Sequence, residues 1–302
     1  MPKVSIIIPN YNHAIFLKQR IDSVLNQSFQ DFEIIILDDC STDDSKDVIE
    51  LYKKEPKVST IIYNNQNGGN TFLQWEKGIS IAKGEFIWIA ESDDWCENIL
   101  LEELVSGMNN DKNCAISYCQ SYCIEQTNKI SWLSHHPYLM EHMDGQSFIQ
   151  QYMVNNNTIF NASMVLWRKE LFNSVSKEFL KYKFCGDWLF WIELAKQGDV
   201  HISGKLMNYF RKHGADVTGK ATKSGINFIE NIQLLNHIYL DKLIHEEAYA
   251  RAFKNLFKKY WKEKRLLEPL LIKEIEATFK TSLSSKSNYY KLLLSAIWKH
   301  KS

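Results

Sequence analysis

Apolar and polar positions along the first third of the chain follow one repeating pattern. Val4-Ser5-Ile6-Ile7-Ile8 is a short, β-branched, almost wholly apolar run, which predicts a strand buried on both faces. Pro9-Asn10-Tyr11-Asn12-His13 then reads as a turn into a helix that continues through Leu25. A second strand, Phe32–Leu37, ends in Asp38-Asp39. The helix after it is expected to be capped by Ser41 or Thr42, with Asp43 and Asp44 in capping, solvated positions near its positive end. Thr60–Tyr63 predicts a third strand, followed by the loop 64–70 and a helix to Ala82. Phe86–Ala90 predicts a fourth strand, which runs directly into Glu91-Ser92-Asp93-Asp94-Trp95. Strand and helix alternating four times imply an α/β fold, with mostly parallel strands joined by right-handed crossovers.

In an open α/β sheet, ligands bind beyond the carboxyl ends of the strands, and that is where Asp38-Asp39 and Glu91–Asp94 fall. Carboxylates crowded together there repel one another unless a cation offsets them, and a hard divalent ion holding a diphosphate meets that need. PNYNH stands where a dinucleotide fold would carry GxGxxG, and no GxxxxGK[ST] is present. A nucleotidyltransferase would also call for a Gly-rich, basic N-terminal loop that PNYNH does not supply. Phosphate charge would instead be met by metal at Asp93 and Asp94, while Asp38 and Asp39 are placed to accept hydrogen bonds from a base or ribose.

These segments resemble glycosyltransferase family 2. In order they are VSIIIPNYNHAIFLKQRIDSVLNQSFQDFEIIILDDCSTDDS, NGGN, KGEFIWIAESDDW, GDWLFWIELAKQG and YFRKHGADVT, and together they span about residues 1–220. The resemblance implies a GT-A fold, Rossmann-like with a helix-flanked, mostly parallel sheet, and an inverting transfer of a sugar from a nucleotide diphosphate donor to a hydroxyl. A UDP-sugar is the favoured donor, and a glycan or lipid-linked molecule of a bacterial surface polysaccharide the expected acceptor. It further implies that Pro9, Tyr11, Asn12, Asp38, Asp39, Asn67, Gly69, Asp93 and Arg211 hold the donor. Asp93, Asp94 and His213 would hold manganese or magnesium, and Asp187 would be the catalytic base. Glu91 departs from the Asp usual at the first position of the acidic element. Gln74-Trp75 stands where many relatives carry Arg-Asn, so an Arg contact to the donor does not carry over. The other class compatible with this scaffold is a catalytically silent sugar-nucleotide or glycan-binding protein; retention of Asp93, Asp94 and Asp187 together favours the enzyme.

Composition narrows the picture. A chain of 302 residues, 45% hydrophobic and 13% aromatic, is long enough for one large core with an appendage. We expect a catalytic domain over 1–220, divided near residue 110 into nucleotide-sugar and acceptor halves, and a helical extension over 221–302. Zero formal net charge gives no reason to expect nucleic-acid binding. It also hides an asymmetry, since residues 251–302 carry 13 Lys and Arg against 4 Glu, a net of +9 against −9 for the remainder. Cys40, Cys96, Cys114, Cys119, Cys123 and Cys185 form no CxxC pair, and neither a signal peptide nor a membrane-length apolar stretch is visible, which points to the cytoplasm. The cysteine spacings do not suit zinc, and Cys185 reads as a small buried filler. Trp95 and Trp188, beside the acids, are the tryptophans placed to stack on a sugar or base.

The middle of the chain names no sugar. Ser131–Pro137 reads as loop, Gln146–Met153 as helix and Ser163–Trp167 as strand, and the region is expected to line the acceptor side. In the tail, Phe253, Leu256, Phe257, Tyr260 and Trp261 recur at helical spacing among lysines, and Tyr289–Trp298 repeats the mixture. Two readings stay open: a helix lying peripherally on an anionic inner membrane face, or a bundle packed on the catalytic domain or on a second copy.

Overall fold

The structure is a computed structural model that describes residues 1–213 and 225–299. Four parallel strands form its N-terminal half. They are β1 (Val4–Asn10), β2 (Phe32–Asp38), β3 (Val58–Tyr63) and β4 (Phe86–Ile89), in the order β3-β2-β1-β4. The connecting helices are α1 (Ala14–Leu25), α2 (Ser45–Glu50) and α3 (Thr71–Ile81). β1, β2 and β4 are buried along their whole length, as continuous apolar runs require when helices cover both faces. In register, Asn10 lies beside Asp38 and Ile7 beside Ile89, so the segments after β1, β2 and β4 emerge side by side on one edge.

The second half of the sheet is mixed. After β5 (Trp95–Cys96), α4 (Leu100–Asn110), β6 (Cys114–Glu125), β7 (Ile130–Leu133) and β8 (Met140–Asp144), a short α5 (Gly145–Phe148) continues as a wider turn through Met153. β9 (Val165–Arg168) lies antiparallel between β4 and β6, and β10 (Asp199–Lys212) pairs parallel with β6 and antiparallel with β5 and β8. The expected loop over 131–137 overlaps β7. Its four residues are all exposed on one edge of β6, which is why burial patterning did not reveal a strand.

α6 (Gly186–Ala195) is followed by α7 (Ile226–Leu240), α8 (Glu246–Glu263), α9 (Pro269–Phe279) and α10 (Tyr289–Lys299). Buried apolar residues from Val4 to Tyr289 form one continuous cluster that joins these last helices to the sheet. Phe253, Phe257 and Tyr260 of α8 are 0–2% exposed, so that aromatic face is interior to the bundle and not available to a membrane. No helix among the described residues is long and apolar enough to cross a bilayer. The second half of the YFRKHGADVT segment, residues 214–218, and the expected boundary at 220 lie outside the described residues.

Candidate active site

Three strand ends supply most of the expected residues. At the end of β2, Asp38 is 4% exposed and accepts from Asn10 Nδ2 at 2.8 Å, Ser41 Oγ at 2.6 Å and Ser41 N at 3.0 Å. Ser41 and Thr42 therefore do not cap α2. Ser41 Oγ accepts from Asn12 N at 2.9 Å, and Thr42 N donates to Asn12 Oδ1 at 2.7 Å, which holds Asn12 at a φ of 57°. Asp44 is the N-cap residue of α2 but makes no side-chain cap bond, and Asp43 before it accepts from Ala14 N at 2.9 Å and Ser45 N at 3.0 Å. Pro9 is buried within β1, whereas Tyr11 is 46% exposed above the edge.

Asp39 organises the loop after β3. Its carboxylate accepts from Gly68 N at 3.0 Å on both oxygens, from Asn64 Nδ2 at 2.7 Å and from Gln74 Nε2 at 2.9 Å. Asn67 donates to the Asp39 carbonyl at 3.1 Å, and its own Oδ1 accepts from Gly69 N at 2.7 Å. Gly69 has a φ of +68°, which an L side chain would adopt only with strain. Asp38, Asp39, Asn12, Asn67 and Gly69 thus form one hydrogen-bonded unit, with Gln74 standing beneath it.

The acids after β4 separate into different roles. Asp93 Oδ2 meets His213 Nε2 at 2.9 Å, and His13 completes a group whose potential ligand atoms all lie within 4.8 Å of one another. Burial works to raise Asp93, but the hydrogen bond from His213 and the positive charges of His13 and His213 hold it below its ordinary value. Asp94 is 1% exposed. Its Oδ2 accepts from Ser163 Oγ at 2.7 Å and from Asn161 Nδ2, its Oδ1 accepts from Arg211 N at 3.0 Å, and Arg20, itself fully buried, stands 3.9 Å away. Burial and the neighbouring Asp93 charge push Asp94 up to about 7. The two acids, both expected to hold the metal, are placed differently: Asp94 spends its oxygens inside the protein, while Asp93 shares a cluster with two imidazoles. Glu91 accepts from Trp75 Nε1 at 3.0 Å, and burial with the charges of Asp93 and Asp94 pushes it up to about 8.

Arg211 is 5% exposed and lies between two rings, its guanidinium carbon 4.4 Å from the centroids of both Phe16 and Trp95. It donates to the Asp93 carbonyl at 2.9 Å and to Gln19 Oε1 at 2.8 Å. Trp95 stacks on Tyr209 at 4.7 Å, and Trp188 donates to the Met153 carbonyl at 3.0 Å. His13, which the sequence left in the turn, bridges the strand ends: it follows Asn12 directly and its Nδ1 lies 2.8 Å from Ser92 Oγ.

Asp187 opens α6. Its Oδ1 accepts from Trp188 N at 2.7 Å and its Oδ2 from Asn157 Nδ2 at 3.2 Å. A helix's first turn favours a carboxylate, yet burial outweighs it and pushes Asp187 up to about 7. The segment 157–163 ties this acid to the other cluster, since Asn157 touches Asp187 while Asn161 and Ser163 touch Asp94. Gly186 is required here, because a Cβ would come within 2.3 Å of the Phe72 ring and 2.6 Å of the Phe179 carbonyl.

A second support comes from the C-terminal helices. Glu230, on α7 and 5% exposed, accepts from three successive amides, Lys183 N at 2.8 Å, Phe184 N at 2.7 Å and Cys185 N at 2.9 Å. Such a carboxylate fixes the turn that delivers Asp187, and its charge adds to the upward push on that acid. Glu230→Gln should therefore lower the Asp187 pKa, because removing a nearby negative charge favours ionisation. It should also cost on the order of 2 kcal/mol through weakened charge-assisted bonds. A carboxyl titration followed by NMR, together with a thermal melt, checks both; an unmoved Asp187 titration would refute the coupling.

Comparisons with known proteins identify the family and the fold. The family model described as glycosyl transferase family 2 matches residues 5–176, more than half of the chain. The chain is 27% identical over 177 residues to the glycosyltransferase GlyG of Streptococcus pneumoniae, an alignment covering 57% of this chain and 58% of that one, so it spans less than two thirds of that relative's length. It is 26% identical over 312 residues to a Campylobacter jejuni GalNAc(5)-diNAcBac-PP-undecaprenol beta-1,3-glucosyltransferase, covering 97% of this chain and 92% of the relative. The crystal structure of Staphylococcus aureus TarS 1–349 with UDP-GlcNAc superposes with a TM-score of 0.70 at 16% identity, covering 92% of this chain and 79% of that one, a likeness of fold. With its parallel half-sheet, its acids at the ends of β2 and β4 and this family match, the chain belongs to glycosyl transferase family 2.

Proposed function

We propose that this protein is an inverting glycosyltransferase that moves a sugar from a nucleotide diphosphate, with a UDP-sugar favoured, to a hydroxyl of a glycan or lipid-linked acceptor in bacterial surface polysaccharide synthesis. The observation that carries the reading is the placement of Asp187. It is a half-buried carboxyl with a pKa near neutrality and no basic partner among the described residues, tied through residues 157–163 to the acidic cluster at the sheet edge. In this reading Asp187 accepts the proton of the attacking hydroxyl as the acceptor oxygen bonds to the anomeric carbon and the sugar–diphosphate bond breaks on the opposite face. The unit around Asp38 and Asp39 receives the nucleoside, with Asn12, Asn67 and Gly69 shaping its walls.

The donor set of Asp93, His213 and His13 fits a divalent ion, and its imidazoles suit manganese better than magnesium, which prefers an all-oxygen shell. Held by Asp93 and His213, with His13 in reach, such an ion would supply positive charge to the diphosphate. Arg211 acts from behind, fixing the Asp93 backbone and donating its own amide to Asp94.

Two measurements test the proposal. Thermal shifts against nucleotides and sugar nucleotides, with and without manganese, should single out a nucleotide diphosphate, and the stabilising donor should then show sugar transfer to an acceptor panel. Donor binding without turnover on any acceptor would support the silent binding protein instead; no response to any sugar nucleotide would reject both.

A further inference from the structure

α10 is apolar on both of its faces, and the described residues cover only one of them. Tyr289 is 4% exposed and packs its ring 5.9 Å from Phe257, and Leu292, Leu293 and Ala296 continue that inward stripe at helical spacing. The opposite stripe is Tyr290, Leu294, Ile297 and Trp298, with exposures of 58%, 62%, 38% and 81%. A helix apolar all round normally has something on each side of it. Charge indicates what fits the outer side: residues 277–302 contain neither Asp nor Glu, and while Lys286 is paired with Glu247 at 2.7 Å and Lys280 lies over the inward Tyr289 ring, Lys291 stands on the outer side. Lys291 is exposed within the outer face itself, flanking the apolar stripe.

From this combination we infer that the outer face of α10 docks on an anionic lipid bilayer surface. Leu294 and Ile297 enter the acyl boundary, Tyr290 and Trp298 sit at headgroup level as amphipathic aromatic rings do, and Lys291 meets lipid phosphate. A second copy of the chain is the poorer occupant, since two such faces would bring like charges together and the 11-residue helix offers a short contact. The inference does not rest on sugar transfer, because vesicle binding needs neither donor nor Asp187.

Co-sedimentation of the full chain with phosphatidylglycerol-containing vesicles, and with pure phosphatidylcholine vesicles, tests it. We expect binding to the anionic vesicles that weakens as salt rises, and at least a tenfold loss in the variant combining Tyr290→Ser, Leu294→Ser and Trp298→Ser. These side chains point outward, so the melting temperature should not change, and Lys291→Glu should weaken binding without altering the apolar stripe. No binding of the unaltered chain to anionic vesicles, equal binding by the triple variant, or equal affinity for both vesicle types would overturn the proposal. A dimer in light scattering that the triple variant dissolves, without vesicle binding, would assign the face to a second copy and overturn it as well.

Discussion

Asp187→Asn is expected to lower kcat by roughly 10³-fold, within the range a positioned general base contributes, while donor binding changes little. In the unaltered enzyme kcat/KM should fall about tenfold per pH unit below the Asp187 pKa of about 7, because only the ionised carboxylate accepts a proton. That acid limb should vanish from the residual activity of the variant. Stability should move the other way. The folded pKa lies above the unfolded one, so protonation stabilises the native state at low pH, and this contribution is lost as pH rises from about 4 to about 7. At pH 8 the unaltered protein holds a half-buried carboxylate that burial disfavours. The Asn variant should then be more stable by about 2 kcal/mol, after discounting for partial exposure. An amide at 187 facing Asn157 Nδ2 sets donor against donor and trims that gain. Wild-type activity in the Asn variant, or an acid limb that survives in it, would place the base elsewhere.

The second large effect is a contrast between neighbours. Asp93→Ala should abolish the manganese dependence of UDP binding measured by calorimetry and leave folding nearly unchanged. Asp94→Ala should unfold far more easily, by on the order of 3–5 kcal/mol. It removes the charge partner of a fully buried Arg20 and strips an acceptor from Ser163, Asn161 and Arg211 N. If the two variants lose metal-linked binding equally at full stability, the division of roles drawn from their hydrogen bonds is wrong.

Much of this was legible in the chain. Strands buried on both faces appear as unbroken apolar runs, and the acid pairs following two of them mark the ligand edge whatever lies further along. The tail was half legible. Helical spacing located α8 and α10, but an aromatic stripe looks the same in sequence whether it faces protein or solvent, and packing put Phe253, Phe257 and Tyr260 inside while leaving Trp298 out. The partners of the acids gave no local signal. His213 reaches Asp93 across 120 positions, Asn161 reaches Asp94 across 67, and Glu230 reaches the Asp187 turn across 45 to 47.

By itself, then, the sequence determined the alternation of strand and helix, the edge where function gathers and the acids set there, because these follow from short-range periodicity and from where polar residues interrupt apolar runs. The tertiary structure alone decided what surrounds each acid. Asp93 and Asp94 are adjacent and chemically identical, and they diverge because consecutive side chains leave the backbone in different directions. One points toward His213 and His13, and the other into a buried nest of Arg20, Asn161 and Ser163. Charge, burial and hydrogen bonding then shift their pKa values in opposite directions.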